Sequence, residues 1–166
     1  MNTRAVILFL LFPLYALSQP YYGRLSIDSL KKMLLTAKDT QKINTLNLLA
    51  RRYLYPVRTQ NILTSAQNYA ERYTDEALIL AQNLNYNKGI GNALLNKGIL
   101  LVSKEKENFT RPMASFEAAV PLLRQTDDEY AVAAGLENIA FCFHLLGENK
   151  RAILYHDSAR NLFAEL

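Results

Sequence analysis

Apolar residues recur at intervals of three and four along most of the chain, the spacing that places them on one face of an α-helix. Ile27, Leu30, Leu34 and Ala37 share such a face with lysines opposite, and Ser26 or Asp28 can cap its start, which predicts a leading amphipathic helix. A second helix is predicted from about Thr40 to Tyr55 on Ile43, Leu46, Leu49, Ala50, Tyr53 and Leu54, stopping before Pro56. The polar stretch from Pro56 to Thr64 reads as an insertion loop. From Ser65 to Leu84, Ala66, Ala70, Ala77 and Ala81 recur among Tyr69, Tyr73, Leu78 and Leu80, which suits a long helix lying close to a neighbour.

Asn85 to Gly89 reads as a turn, since asparagine and glycine tolerate the left-handed backbone that ends helices. Helical spacing restarts over Ile90 to Val102, pauses in the charged stretch Ser103 to Asn108, and resumes behind Thr110. Pro112 is tolerated there because a first helical turn has no internal donor to lose. The last pair is the clearest: a helix from Asp127 or Asp128 to about Leu146, a turn at Gly147-Glu148-Asn149, and a final helix to about Glu165. No long alternating segment bounded by turn residues occurs, so the pattern predicts an all-α protein without a sheet.

The helices repeat. Within Ala133 to Ala159, Leu136, Ile139, Ala140, Phe143, Gly147, Ala152, Tyr155 and Ala159 occupy the places where tetratricopeptide repeats alternate large, small, aromatic and turn residues, with His156 at a place that is usually aromatic or large. Leu94, Gly98, Leu101, Phe116 and Ala119 form a weaker copy, with Lys97 where a core leucine is usual. Leu46, Leu49, Ala50, Tyr53, Ala70, Tyr73 and Ala77 form a third copy around the expected insertion. The step from Ala77 to Ala119 is 42 residues and from Ala119 to Ala159 is 40, so the repeat is expanded.

Segments such as Leu30-Lys31-Lys32-Met33-Leu34 followed by Lys42-Ile43-Asn44, and Ala81 to Ile90, resemble the exported tetratricopeptide regions that precede sensor histidine kinases and helix-turn-helix regulators in Bacteroidetes-type bacteria. The likeness covers about Ser26 to the end. It implies a right-handed superhelix of about three antiparallel helix-turn-helix hairpins, in units of about 40–84, 88–125 and 128–165, preceded by one amphipathic helix. It also implies that Asn44, Asn47, Arg51, Leu54, Asn92, Leu95, Ile99, Val102, Ala134, Glu137, Phe141 and His144 line a concave groove. Of these, Asn47, Arg51, Leu95, Ile99, Glu137, Phe141 and His144 are the candidate contacts for an extended or helical segment of a protein partner. Leu95, Ile99 and Phe141 could equally serve as packing within or between hairpins.

Composition adds a location and removes several chemistries. Ala5 to Leu17 is an apolar run of thirteen residues behind Arg4, with small residues at Ala16 and Ser18, so residues 1–18 read as a signal peptide and 19–25 as a connector to a domain over 26–166. The run is shorter than the roughly twenty residues of a membrane-spanning helix. The expected location is therefore periplasmic or extracellular, with membrane contact only during export. No cysteine stands near the cleavage point, which argues against a lipoprotein. Net charge is only +4 and the basic residues are dispersed, so no nucleic-acid surface is expected.

The chain has one cysteine, Cys142, between Phe141 and Phe143, and it reads as a small core residue without a disulfide. Two histidines, His144 and His156, and this thiol fall short of a structural zinc set, so no metal or other cofactor is expected. The acidic run Asp127-Asp128-Glu129 suits a helix start, and Gly89-Ile90-Gly91 lacks the context of a phosphate loop. With no nucleophile and base at usable spacing, the expectation is a non-enzymatic scaffold. A second reading makes the chain the truncated or split extracytoplasmic input module of a signalling protein that acts by self-association. The ending Asn161 to Leu166, without a further polar helix over the last hairpin, predicts a homodimer or docking through the C-terminal helix.

Overall fold

The computed structural model describes residues 25–60, 64–105 and 108–166; the expected signal peptide and nearly all of the connector lie outside the described residues. Those residues form seven helices and no strand: α1 (Ile27–Thr36), α2 (Asp39–Gln60), α3 (Thr64–Asn83), α4 (Asn87–Lys104), α5 (Thr110–Arg124), α6 (Glu129–Leu145) and α7 (Asn149–Glu165). The all-α expectation holds.

Local chemistry accounts for most of the boundaries. Ser26 caps α1, its side chain accepting from the Ser29 amide at 3.1 Å. Asp128 caps α6 in the same way through the Ala131 amide, also at 3.1 Å. Asp39, Asn85 and Gly147 carry the left-handed backbone, at φ 47°, 50° and 80°, that turns the chain at the first residue of α2, before α4 and before α7. One boundary differs from expectation. Helix α2 continues through Pro56 to Gln60, so the expected loop over 56–64 is helical as far as Gln60; residues 61–63 lie outside the described residues, and Thr64 opens α3. A proline removes a single main-chain donor, and by itself that did not end this helix.

The most extensive packing joins α2 with α3, α4 with α5 and α6 with α7, and each of these hairpins also lies on the next through α3 with α4 and α5 with α6. The first helices touch one another as well, α2 with α4 and α4 with α6, while α1 lies on α2. Among the described residues, substantial contacts thus join only helices one or two apart in the chain, the mark of a serial, repeat-like arrangement.

The core has two parts. One joins α1 to the first hairpin around Leu30, Leu46, Leu49 and Tyr73; the other runs through the second and third hairpins around Leu95, Phe116, Leu123, Ile139 and Phe143. Each such fully buried leucine or phenylalanine contributes about 1.5–3 kcal/mol of transfer free energy. Small residues let the helices meet: a Cβ on Gly98 would stand 2.4 Å from the Phe116 ring, and one on Gly135 would stand 2.7 Å from Val120 and 3.4 Å from Leu95. Pro112 is buried in the first turn of α5, where it was expected to be tolerated, whereas Pro121 sits exposed inside the same helix, a feature the apolar pattern did not flag.

Candidate functional site

The structure divides the seven candidate partner contacts. Asn47 is 5% exposed and Leu95 2%, and Ile99 is also buried, so these three do not face solvent. The reason is the contact between successive first helices. The Asn47 side-chain amide donates to the Gly89 carbonyl of α4 at 3.1 Å, and Asn96 of α4 donates back to the Asn47 carbonyl at 3.0 Å. Leu95 occupies the corresponding place one hairpin on and lies 3.4 Å from where a Cβ on Gly135 of α6 would stand. Leu54 and Ala134, drawn into the same expected groove, are buried too.

Arg51, Glu137, Phe141 and His144 are half-buried and reach the surface. The Arg51 guanidinium donates to Asn92 Oδ1 at 2.8 Å, and Asn92 donates to the Lys88 carbonyl at 3.0 Å. Lys88 in turn pairs at 3.0 Å with Asp128, the residue that caps α6. Asn44 is exposed and accepts from the Tyr86 hydroxyl at 3.3 Å. These polar contacts tie α2 to α4 and α4 to the start of α6, which orients Arg51 while leaving part of its side chain accessible.

Glu137, Phe141 and His144 all lie on α6, and Glu137 pairs with the opposing helix of its hairpin. Its Oε2 is 2.9 Å from His156 Nδ1 on α7. That hydrogen bond raises the His156 pKa above the ordinary histidine value of 6.5; partial burial opposes the shift and the nearby carboxylate charges assist it. The repeat pattern put His156 at a place that is usually aromatic or large. Its pairing was not legible, because the two residues lie nineteen positions apart on different helices.

A second cluster escaped sequence reasoning altogether. Tyr53 stacks on Tyr69 at 5.0 Å and on Tyr73 at 5.9 Å, with Lys31 of α1 about equally distant from the Tyr53 and Tyr69 rings, at 6.0 and 5.9 Å. Arg72 lies 5.0 Å from the Tyr73 ring centre and 5.4 Å from that of Tyr69. A hydrogen bond with Tyr53 raises the Lys31 pKa above its ordinary value. The cluster fastens α1 onto the first hairpin through ring faces already occupied by cations.

Cys142 is fully buried, and burial, with the Glu117 charge second, pushes its thiol up to about 12, so it stays protonated at neutral pH. Among the described residues no three His, Cys, Asp or Glu side chains converge as a metal set, and no helix is long and apolar enough to cross a membrane.

The class that this geometry defines is an all-α, repeat-like array of helix pairs. Comparison of the chain with protein-family models, with curated proteins and with solved structures found no match in any of the three.

Proposed function

We propose that the chain is a tetratricopeptide-type array, three hairpins wound as a right-handed superhelix behind one amphipathic helix, and that it serves as a non-enzymatic scaffold for a protein or peptide segment. The observation that carries this reading is the recurrence of one interhelix register. Asn47 on α2 and Leu95 on α4 are each covered by the following first helix, while Glu137 at the same place on α6 stays partly open beside Phe141 and His144. The contact set is accordingly narrower than the expected groove. It consists of Arg51, Glu137, Phe141 and His144, an arrangement of directional polar groups around one ring.

The non-enzymatic reading draws support from the protonated, enclosed thiol of Cys142 and from a polar surface whose side chains are engaged with one another. The apolar run of residues 5–17 supports export to the periplasm or beyond.

A self-associating signalling input module is the second reading. What favours it is α7, in which only Ala152 and Ala159 are buried while Ile153 and Leu154 are 58% and 66% exposed.

Affinity capture from an envelope extract with the mature chain, beside an Arg51→Ala/Phe141→Ala variant, tests the scaffold reading. A protein retained by the first and lost by the second supports it, and equal retention by both overturns the assigned surface. Light scattering on wild type and on Ile153→Ser/Leu154→Ser separates the readings, since self-association through α7 requires a dimer that the double variant loses.

A further inference from the structure

The third hairpin closes on different chemistry from the first two. Counting from the shared repeat positions, Asn47, Leu95 and Glu137 correspond on the first helices, and Thr74, Phe116 and His156 correspond on the second helices. In the second hairpin both members, Leu95 and Phe116, are buried in a single apolar cluster. In the first, both Asn47 and Thr74 are buried. In the third the pair is a carboxylate and an imidazole, 2.9 Å apart, with side chains 27% and 30% exposed.

We propose that Glu137 and His156 form a protonation-sensitive clasp between α6 and α7, closed when the imidazole carries a second proton and weakened when it is neutral. The position of the pair gives it leverage. Helix α7 buries only Ala152 and Ala159, and its remaining ties to α6 include Tyr155 beside Phe143 at 5.4 Å, Phe163 against Tyr130 at 5.5 Å and the Arg151 guanidinium 4.0 Å from the Phe143 ring centre. None of these three contacts involves a histidine or a carboxylate.

The charges that face His156 are few. Glu137 comes from α6, the helix packed most extensively on α7, and Asp157 stands next to His156 on its own helix, where it engages Arg160 at 2.9 Å. Elsewhere on α6, Glu129 and Tyr130 lie in the first turn, Cys142 is buried and protonated, and His144 follows Glu137 about two turns later. Both carboxylates raise the His156 pKa above the ordinary value. A raised folded-state value means that the stabilisation is fully present below the ordinary histidine range and is lost as pH rises through the folded value.

Native-state hydrogen exchange on the full chain, corrected for intrinsic rates, tests the clasp at about pH 5.5 and about pH 8, on either side of the histidine range. Protection of the α7 amides is expected to be about three- to tenfold higher at the acidic value. Glu137→Gln should flatten this difference, and Glu137→Leu/His156→Phe, which installs the apolar pair of the second hairpin, should keep α7 protected at both values. An NMR titration should show His156 protonating above the ordinary histidine value, and Glu137→Gln should lower its midpoint. Equal α7 protection at the two pH values in the wild type, or the same pH dependence surviving in the double variant, overturns the proposal.

Discussion

The side-chain amide of Asn47 reaches across 42 residues of sequence to the carbonyl of Gly89, 3.1 Å away, and so joins the first hairpin to the second where both are buried. Asn96 completes the link by donating to both the main-chain and side-chain oxygens of Asn47, at 3.0 and 3.3 Å. A buried polar link of this kind supplies little net energy while intact, but it is costly to cut on one side. Asn47→Ala is therefore expected to destabilise the chain by about 1–3 kcal/mol. The check is the urea midpoint, which should fall with an unchanged slope if the fold is retained.

Two glycines should respond for different reasons. Gly98→Ala drives a methyl group to within 2.4 Å of the fully buried Phe116 ring. Its overpacking cost of about 1–3 kcal/mol should outweigh the gain in helix propensity, about 1 kcal/mol. Phe116→Leu should recover part of the loss in that background and cost stability in the wild type. Gly147→Ala meets no atom within 4 Å yet holds φ 80°, so its penalty of about 1–2 kcal/mol arises from the backbone alone and no neighbouring substitution should relieve it. Thermal unfolding of the four variants distinguishes steric from conformational cost.

Pro121 sits exposed within α5, where it offers no main-chain donor to the carbonyl four residues earlier. Pro121→Ala is expected to stabilise the protein by about 1–3 kcal/mol, the gap in helix propensity less whatever local adjustment the proline already enjoys. Calorimetry should register an upward shift of the midpoint by about 2–4 °C per kcal/mol for a chain of this size. No shift would mean that α5 already accommodates the ring without loss.

Cys142 should be silent toward thiol reagents in the native protein at neutral pH, because its sulfur is enclosed and its pKa is pushed up to about 12. Labelling is expected to follow the opening of the core and to accelerate with denaturant in parallel with unfolding. Rapid labelling without denaturant would show that the α6 interior is accessible in the folded state.

The all-helical fold was legible because apolar positions at helical spacing, together with Ser26, Asp128 and Gly147 at helix ends, act locally. Pro56 misled because a proline removes only one main-chain donor, and that loss did not end α2. The candidate surface was legible only in part. The same spacing that places Asn47, Leu95 and Glu137 on corresponding faces cannot tell which of those faces another helix will cover.

The order of side chains along the chain thus determined which segments are helical, where small and aromatic residues recur, and that Cys142 would be a core residue. Tertiary structure decided the rest: that Asn47 and Leu95 serve contacts between hairpins, that Lys31 sits by a tyrosine stack, and that His156 finds Glu137. Helix formation is governed by neighbours three and four residues away, whereas burial and pairing depend on partners tens of residues distant that meet only when the hairpins are stacked.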